Sequence, residues 1–215
     1  MISRRLAALA GLLALLAPQM AAAHITQTGS GGFTAGFEHP LSGYDHFLAM
    51  FSVGLWGAQM GGRRVWSLPV TFPMIMVVGG VIGILGLPLP GIEIGIALSI
   101  IVLGLAIAAA WKPAEWVSLA IIAVFALYHG YAHGAELPMA ADPADFAIGF
   151  VLATGMIHVI GVGVGLVLEP IRHGQFSKLL GVLIAVVGLG FLALALGYLQ
   201  SQLGFLQGGL YLFGK

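Results

Sequence analysis

Six long apolar segments dominate this sequence. They cover residues 41–60, 65–87, 91–111, 114–134, 144–168 and 177–199. Each is close to the ~20 residues that an α-helix needs to cross a hydrocarbon layer of about 30 Å. Only 7% of the 215 residues are charged, whereas soluble domains carry roughly 25%. The sequence therefore predicts an all-α membrane protein, with a six-helix transmembrane bundle in the lipid bilayer over residues 24–215.

The first 23 residues have the pattern of a cleavable signal peptide. Arg4 and Arg5 precede a twelve-residue apolar run at 6–17, and small residues follow at 21–23. Cleavage after Ala23 would make His24 the new amino terminus, where the α-amine and the ring could bind a metal together. An uncleaved anchor is the alternative. Residues 24–38 are polar and rich in glycine, which favours a short exposed arm.

Charged residues in the loops predict the orientation of the bundle. The basic residues of alternate loops are Arg63, Arg64, Lys112, Arg172 and Lys178. The other loops, at 88–91 and 136–145, contain no Lys or Arg. The positive-inside rule places the basic loops in the cytoplasm and the mature amino terminus outside. The formal net charge is zero, and without a basic patch the chain is not expected to bind nucleic acid.

The sequence HPLSGYDH at residues 39–46 holds two imidazoles and a carboxylate at the start of the first apolar segment. Pro40 suits the first turn of a helix. If the helix begins there, His39 and His46 are two turns apart on one face, with Asp45 beside it. Imidazole binds nickel, cobalt, copper or zinc, and a carboxylate can orient a ligating ring. The alternative is a polar helix cap.

Other ionisable residues lie at the same predicted depth. Glu93 is two residues into the third segment, and the fourth ends with His129, His133 and Glu136. The last three are spaced i, i+4 and i+7, on one face of a helix. Ionisable residues inside a membrane are costly and are candidates for function. Their convergence predicts a metal or cation site at the outer ends of helices 1, 3 and 4.

His158 lies deeper than the other histidines. It is about 22 Å from the outer surface at ~1.5 Å per residue of helix, and Thr154 is one turn above it. His158 is either a core histidine bonded to a neighbouring helix or a second metal-binding station on a path toward the cytoplasm.

Two motifs resemble those of the HupE/UreJ family of bacterial nickel and cobalt permeases. One is H-P-x-x-G-x-D-H at 39–46, followed by Ala49-Met50 and Val53-Gly54; the other is H-G-x-A-H-G-x-E at 129–136. The resemblance extends over essentially the whole chain. It implies metal contacts at His39, Asp45, His46, Glu93, His133 and Glu136.

The resemblance also implies a cargo, a location and partners. The cargo is Ni²⁺ or Co²⁺, with no cofactor, and the location is the bacterial inner membrane. Metal-delivery chaperones of hydrogenase or urease maturation are expected partners.

Two functions are compatible with the residues. The first is a secondary transporter, because no ATP-binding loop is visible and a mixed nitrogen and oxygen site suits capture followed by release. The second is an intramembrane zinc-dependent hydrolase acting on lipid, because His129 and His133 have the spacing of a metal-binding pair. Gly130 stands where the H-E-x-x-H motif of zinc hydrolases has a glutamate, which favours the transporter.

Overall fold

The structure is a computed structural model that describes residues 32–137 and 142–213, with side chains up to Ser201. The predicted signal peptide and His24 lie outside the described residues. The described part of the chain is helical and contains no strand. Its α-helices are α1 (Gly32–Ser42), α2 (Tyr44–Met60), α3 (Arg64–Ile84), α4 (Ile92–Ala108), α5 (Glu115–Ala135), α6 (Pro143–Leu168) and α7 (Gln175–Phe213).

Each of the six predicted apolar segments contains a helix, which confirms the all-helical membrane class. Four stretches are long and apolar enough to cross a membrane, namely Arg64–Ile84, Glu115–Ala135, Pro143–Leu168 and Ile171–Ser201. Helix α4 is apolar but has 17 residues, and α2 also has 17. The count of six transmembrane helices therefore stays a prediction.

The start of the first predicted helix is wrong. Pro40 lies inside α1 and not at the first turn of the long helix. The chain breaks at Gly43, which has an extended backbone, and α2 begins at Tyr44. His39 and His46 therefore lie on two helices instead of one face of a single helix. The Asp45 carboxylate accepts a hydrogen bond from the His46 N–H at 2.8 Å, which satisfies one of the unpaired N–H groups at the start of α2.

Residues 32–38 were expected to belong to an exposed arm, and they are instead part of α1. Gly32 and Gly36 are buried against the backbone of α6 around Phe146. A side chain at Gly36 would overlap the Phe146 carbonyl. The missing side chains allow α1 to pack on α6, and this tertiary contact stabilises a segment whose composition favours a loop.

Glycines also bring the long helices into contact. A methyl group at Gly79 of α3 would overlap the Leu127 carbonyl of α5, and one at Gly130 of α5 would overlap the Met76 carbonyl of α3. Gly54 of α2 packs in the same way on the His158 carbonyl of α6. Small residues let membrane helices approach until their backbones touch. The α3/α5 and α2/α6 pairs are thereby held at close range.

Helix α2 is the central helix of the bundle, in contact with α1, α3, α4, α6 and α7. Its residues from Ala49 onward are almost all buried. Polar side chains are tolerated there because the end of α4 and the residues after it supply hydrogen-bond acceptors. Trp56 Nε1 donates to the Trp111 carbonyl at 2.9 Å, and Gln59 Nε2 donates to the Ile107 carbonyl at 3.0 Å. Because other helices surround α2, little of its surface faces lipid, and the helix can include polar side chains.

Candidate metal site

Four imidazole rings converge at one end of the bundle. Ring centroids are 4.6 Å apart for His39 and His133, and 4.4 Å apart for His46 and His133. The rings of His46 and His129 are 4.9 Å apart, and those of His39 and His46 are 6.0 Å apart. The structure thus brings together the four histidines that the sequence predicted at one depth. We call His39, His46, His129 and His133 the histidine cluster.

Three helix ends form the histidine cluster. His39 is in the last turn of α1, His46 in the first turn of α2, and His129 and His133 are one turn apart near the end of α5. The break at Gly43 turns His39 back toward His46. A Cβ at Gly43 would lie 3.2 Å from Asp45 Oδ1 and 3.3 Å from His46 Nδ1, so the glycine also leaves room for this pair.

The Asp45 carboxylate orients the His46 ring. His46 Nδ1 lies 2.7 Å from Asp45 Oδ1. A carboxylate only accepts hydrogen bonds, so Nδ1 carries a proton and donates it to Asp45. In neutral imidazole this leaves Nε2 with a free lone pair. A carboxylate that holds one ring nitrogen while the other is left for a metal is the usual outer-shell arrangement of metal-binding histidines.

The cluster is buried, and several of its nitrogens make no hydrogen bond. The exposed fraction is 8% for His46, 4% for His133 and zero for His129. Four ring nitrogens lack a hydrogen bond to any described residue: His46 Nε2, His129 Nδ1, His133 Nδ1 and His133 Nε2. Most buried polar atoms in proteins are hydrogen-bonded, so such exceptions call for an explanation. In each neutral ring one nitrogen is bare, and a bound cation would supply the partner of these bare nitrogens. The other nitrogen of His133 carries a proton and needs an acceptor instead.

Two further carboxylates lie near the cluster. Glu93, in the first turn of α4, and Glu136 are both close enough to act electrostatically on His46. Helix α5 ends at Ala135, so Glu136 follows the helix instead of lying on its face as the spacing predicted. Its N–H still donates to the Ala132 carbonyl at 3.0 Å.

Within the described ranges, no three His, Asp or Glu side chains have donor atoms arranged to hold a metal ion. The cluster thus has the donors of a cation site without its coordination geometry.

His158 is separate from the histidine cluster. It is fully buried in α6, and its ring lies 5.4 Å from the Phe72 ring, which is itself 5.6 Å from His129. Phe72 therefore lies between His158 and the cluster. The Pro69 carbonyl lies close enough to the His158 ring to act as a hydrogen-bond acceptor, but the contact does not have the geometry of a well-formed hydrogen bond.

Two kinds of neighbour of the cluster were not predicted from the sequence. Phe146 and Phe150 of α6 line the cluster, with the Phe150 ring 4.1 Å from His133 and the Phe146 ring 6.3 Å from His39. Their i, i+4 spacing on an apolar helix is a signal that could have marked a shared face. Ser99 of α4 lies 3.0 Å from His129 Nε2. A serine inside a strongly apolar segment, six residues after Glu93, was the available signal for that contact.

Comparison with known proteins supports the resemblance seen in the motifs. The family model described as HupE / UreJ protein matches residues 12–191. The chain is 40% identical over 185 residues to Protein HupE of Rhizobium leguminosarum bv. viciae, a match that covers 84% of this chain and 94% of that protein. No solved structure matches the chain. The chain belongs to the HupE/UreJ family.

Proposed function

We propose that this protein is a secondary transporter that takes up divalent nickel, with cobalt as a second cargo, across the bacterial cytoplasmic membrane. The observation that carries the proposal is the contact of four imidazoles at one end of an apolar bundle, three of them buried. HupE/UreJ is a nickel and cobalt transporter-type family. The transported ion is the substrate, and no resident cofactor is proposed.

The donor set suits capture and release of such an ion. Imidazole prefers borderline metals such as nickel, cobalt, copper and zinc. The nitrogens of the histidine cluster would replace part of the water shell of the ion, and Asp45, Glu93 and Glu136 would balance its charge. A site for transport must bind firmly enough to capture a dilute ion and loosely enough to release it. A mixed set of imidazole and carboxylate donors fits that requirement.

We place the histidine cluster at the outer surface, behind a cleavable signal peptide, with six helices crossing the membrane. The cluster lies at the start of α2 and near the start of α4, whereas basic residues follow the other ends: Arg63 after α2, Lys112 after α4 and Arg172 after α6. Cluster and basic residues therefore lie at opposite ends of these helices. The positive-inside rule then makes the basic end cytoplasmic.

His158 is proposed as a second station on the path. It lies beside Pro69 and Pro73 in a groove between α3 and α6. Pro73 has no N–H, so the Pro69 carbonyl four residues earlier lacks its helical partner. The Pro69 carbonyl and the His158 imidazole, which lie close to each other, would together offer an ion two donors at that depth. Irregular backbone inside a membrane is tolerated where it lines a pathway or is buried in protein.

Transport is favoured over lipid hydrolysis by the surroundings of Gly130. A zinc hydrolase of the H-E-x-x-H type needs a glutamate after the first histidine to activate water. Gly130 occupies that position and packs directly against the Met76 backbone of α3, so a side chain there would force the helices apart.

On the cytoplasmic side, metal-delivery chaperones of hydrogenase or urease maturation are proposed to accept the ion.

Removing a ring from the histidine cluster should weaken capture. His46→Ala or His133→Ala should raise the nickel concentration for half-maximal uptake by about tenfold or more, because a lost ligand worth ~1.4 kcal/mol corresponds to a factor of ten. Excess nickel should partly restore uptake. The measurement is initial nickel uptake by cells against concentration, with membrane levels of protein checked in parallel. His173→Ala, in the exposed turn after α6, is the matched control. If His46→Ala and His133→Ala take up nickel as well as this control does, the site is refuted.

His158→Ala should have a different kinetic effect. Its loss raises the barrier to crossing and leaves the outer site intact, so maximal uptake should fall several-fold while nickel binding at equilibrium stays near normal. Uptake kinetics and binding to purified protein are measured side by side. Normal maximal uptake would make His158 a core histidine and move the path elsewhere.

The orientation can be tested with reporter fusions. A reporter joined after Arg64 should report a cytoplasmic location, and one joined after Asp142 an extracytoplasmic location. The reverse pattern would place the histidine cluster inside the cell and contradict its role in capture.

A further inference from the structure

Ser99 makes two contacts beside the histidine cluster. It lies in α4 and is fully buried. Its hydroxyl oxygen is 2.6 Å from the Ile96 carbonyl oxygen and 3.0 Å from His129 Nε2. A serine hydroxyl has one proton and two lone pairs. It can therefore donate to only one of these partners.

The shorter contact decides which partner receives the proton. Two oxygens 2.6 Å apart lie at the distance of an O–H···O hydrogen bond, and without a proton between them their lone pairs would repel. The Ser99 proton is therefore directed at the Ile96 carbonyl. The hydroxyl oxygen can then only accept from His129, which requires a proton on Nε2.

This assignment leaves Nδ1 as the bare nitrogen of His129. Nδ1 is buried and makes no hydrogen bond to any described residue, and the His129 ring contacts that of His46. His46 has the opposite arrangement, because its Nδ1 donates to Asp45 and its Nε2 is bare. The two neighbouring rings thus present lone pairs from different nitrogens, each fixed by its own partner.

We propose that Ser99 is a positioning residue that holds His129 in the Nε2–H tautomer, so that His129 meets a divalent cation through Nδ1. The tautomer follows from the hydrogen bonds alone. The role in cation binding rests on the proposed function. Partners of the non-ligating nitrogen fix the tautomer and the orientation of metal-binding histidines, and here a serine on a neighbouring helix takes that role.

Ser118 provides a matched control. It is also fully buried, and its hydroxyl donates to the Glu115 carbonyl at 2.8 Å, three residues earlier as in Ser99. It lies in the first turn of α5, at the other end of that helix from His129. Ser118→Ala removes the same group and the same type of local hydrogen bond, so it reports what a generic loss of a buried hydroxyl does.

The tautomer is tested on metal-free protein. Nitrogen-15 NMR of full-length protein labelled at histidine separates protonated from bare ring nitrogens, and the His129 signals are those lost in His129→Gln. In the wild type and in Ser118→Ala, His129 should show a protonated Nε2 and a bare Nδ1. Ser99→Ala should show a mixture of tautomers. A protonated Nδ1 in the wild type, or an unchanged tautomer in Ser99→Ala, would overturn the proposal.

Nickel binding tests the consequence. Loss of such an outer-shell partner typically weakens metal binding ten- to a hundredfold, so Ser99→Ala should bind nickel at least about tenfold more weakly than Ser118→Ala at equilibrium. Equal affinity of the two variants would refute the positioning role. If the wild-type tautomer is as proposed but none of the proteins binds nickel, the tautomer assignment stands, while the proposed function and the role of Ser99 in cation binding both fail.

Discussion

The histidine cluster places an energetic constraint on the bundle, because several of its imidazole nitrogens are buried where no described residue pairs with them. Leaving a polar atom unpaired in an apolar environment costs free energy, roughly 1–3 kcal/mol by mutational data. Three rings of the histidine cluster are at most 8% exposed, and four of their nitrogens make no hydrogen bond. Contacts between helix backbones at Gly79, Gly130 and Gly36 keep the helices close around these rings. A cation that binds there would pair with the bare nitrogens and relieve part of this cost.

The two polar regions of the bundle differ in how they are built. The histidine cluster collects several rings from three helix ends, together with carboxylates that supply charge. His158 stands alone on α6, with Phe72 between it and His129. Many donors favour capture of a hydrated ion from dilute solution, whereas few donors at depth favour rapid passage. This difference is the physical basis for the proposal that they serve separate steps of transport.

Hydropathy and helical spacing were sufficient to predict the class of fold and the convergence of four histidines at one end of the bundle. The apolar segments became helices, and the i, i+4 pair of His129 and His133 lies on one face because that spacing is a local property of the helix. The start of the first helix was mispredicted because Pro40 is locally suited to a first turn, while the burial of Gly36 on α6 is a tertiary contact. Ser99 was missed for a similar reason: its contact depends on how α4 is rotated against α5, which no local pattern specifies.

The claim that the histidine cluster binds the transported ion is tested most directly by X-ray absorption spectroscopy of nickel bound to the purified full-length protein. We expect nitrogen and oxygen ligands, with outer-shell scattering from two or more imidazole rings that decreases in His46→Ala. Bound nickel with oxygen ligands alone, or a spectrum that His46→Ala leaves unchanged, would contradict the claim.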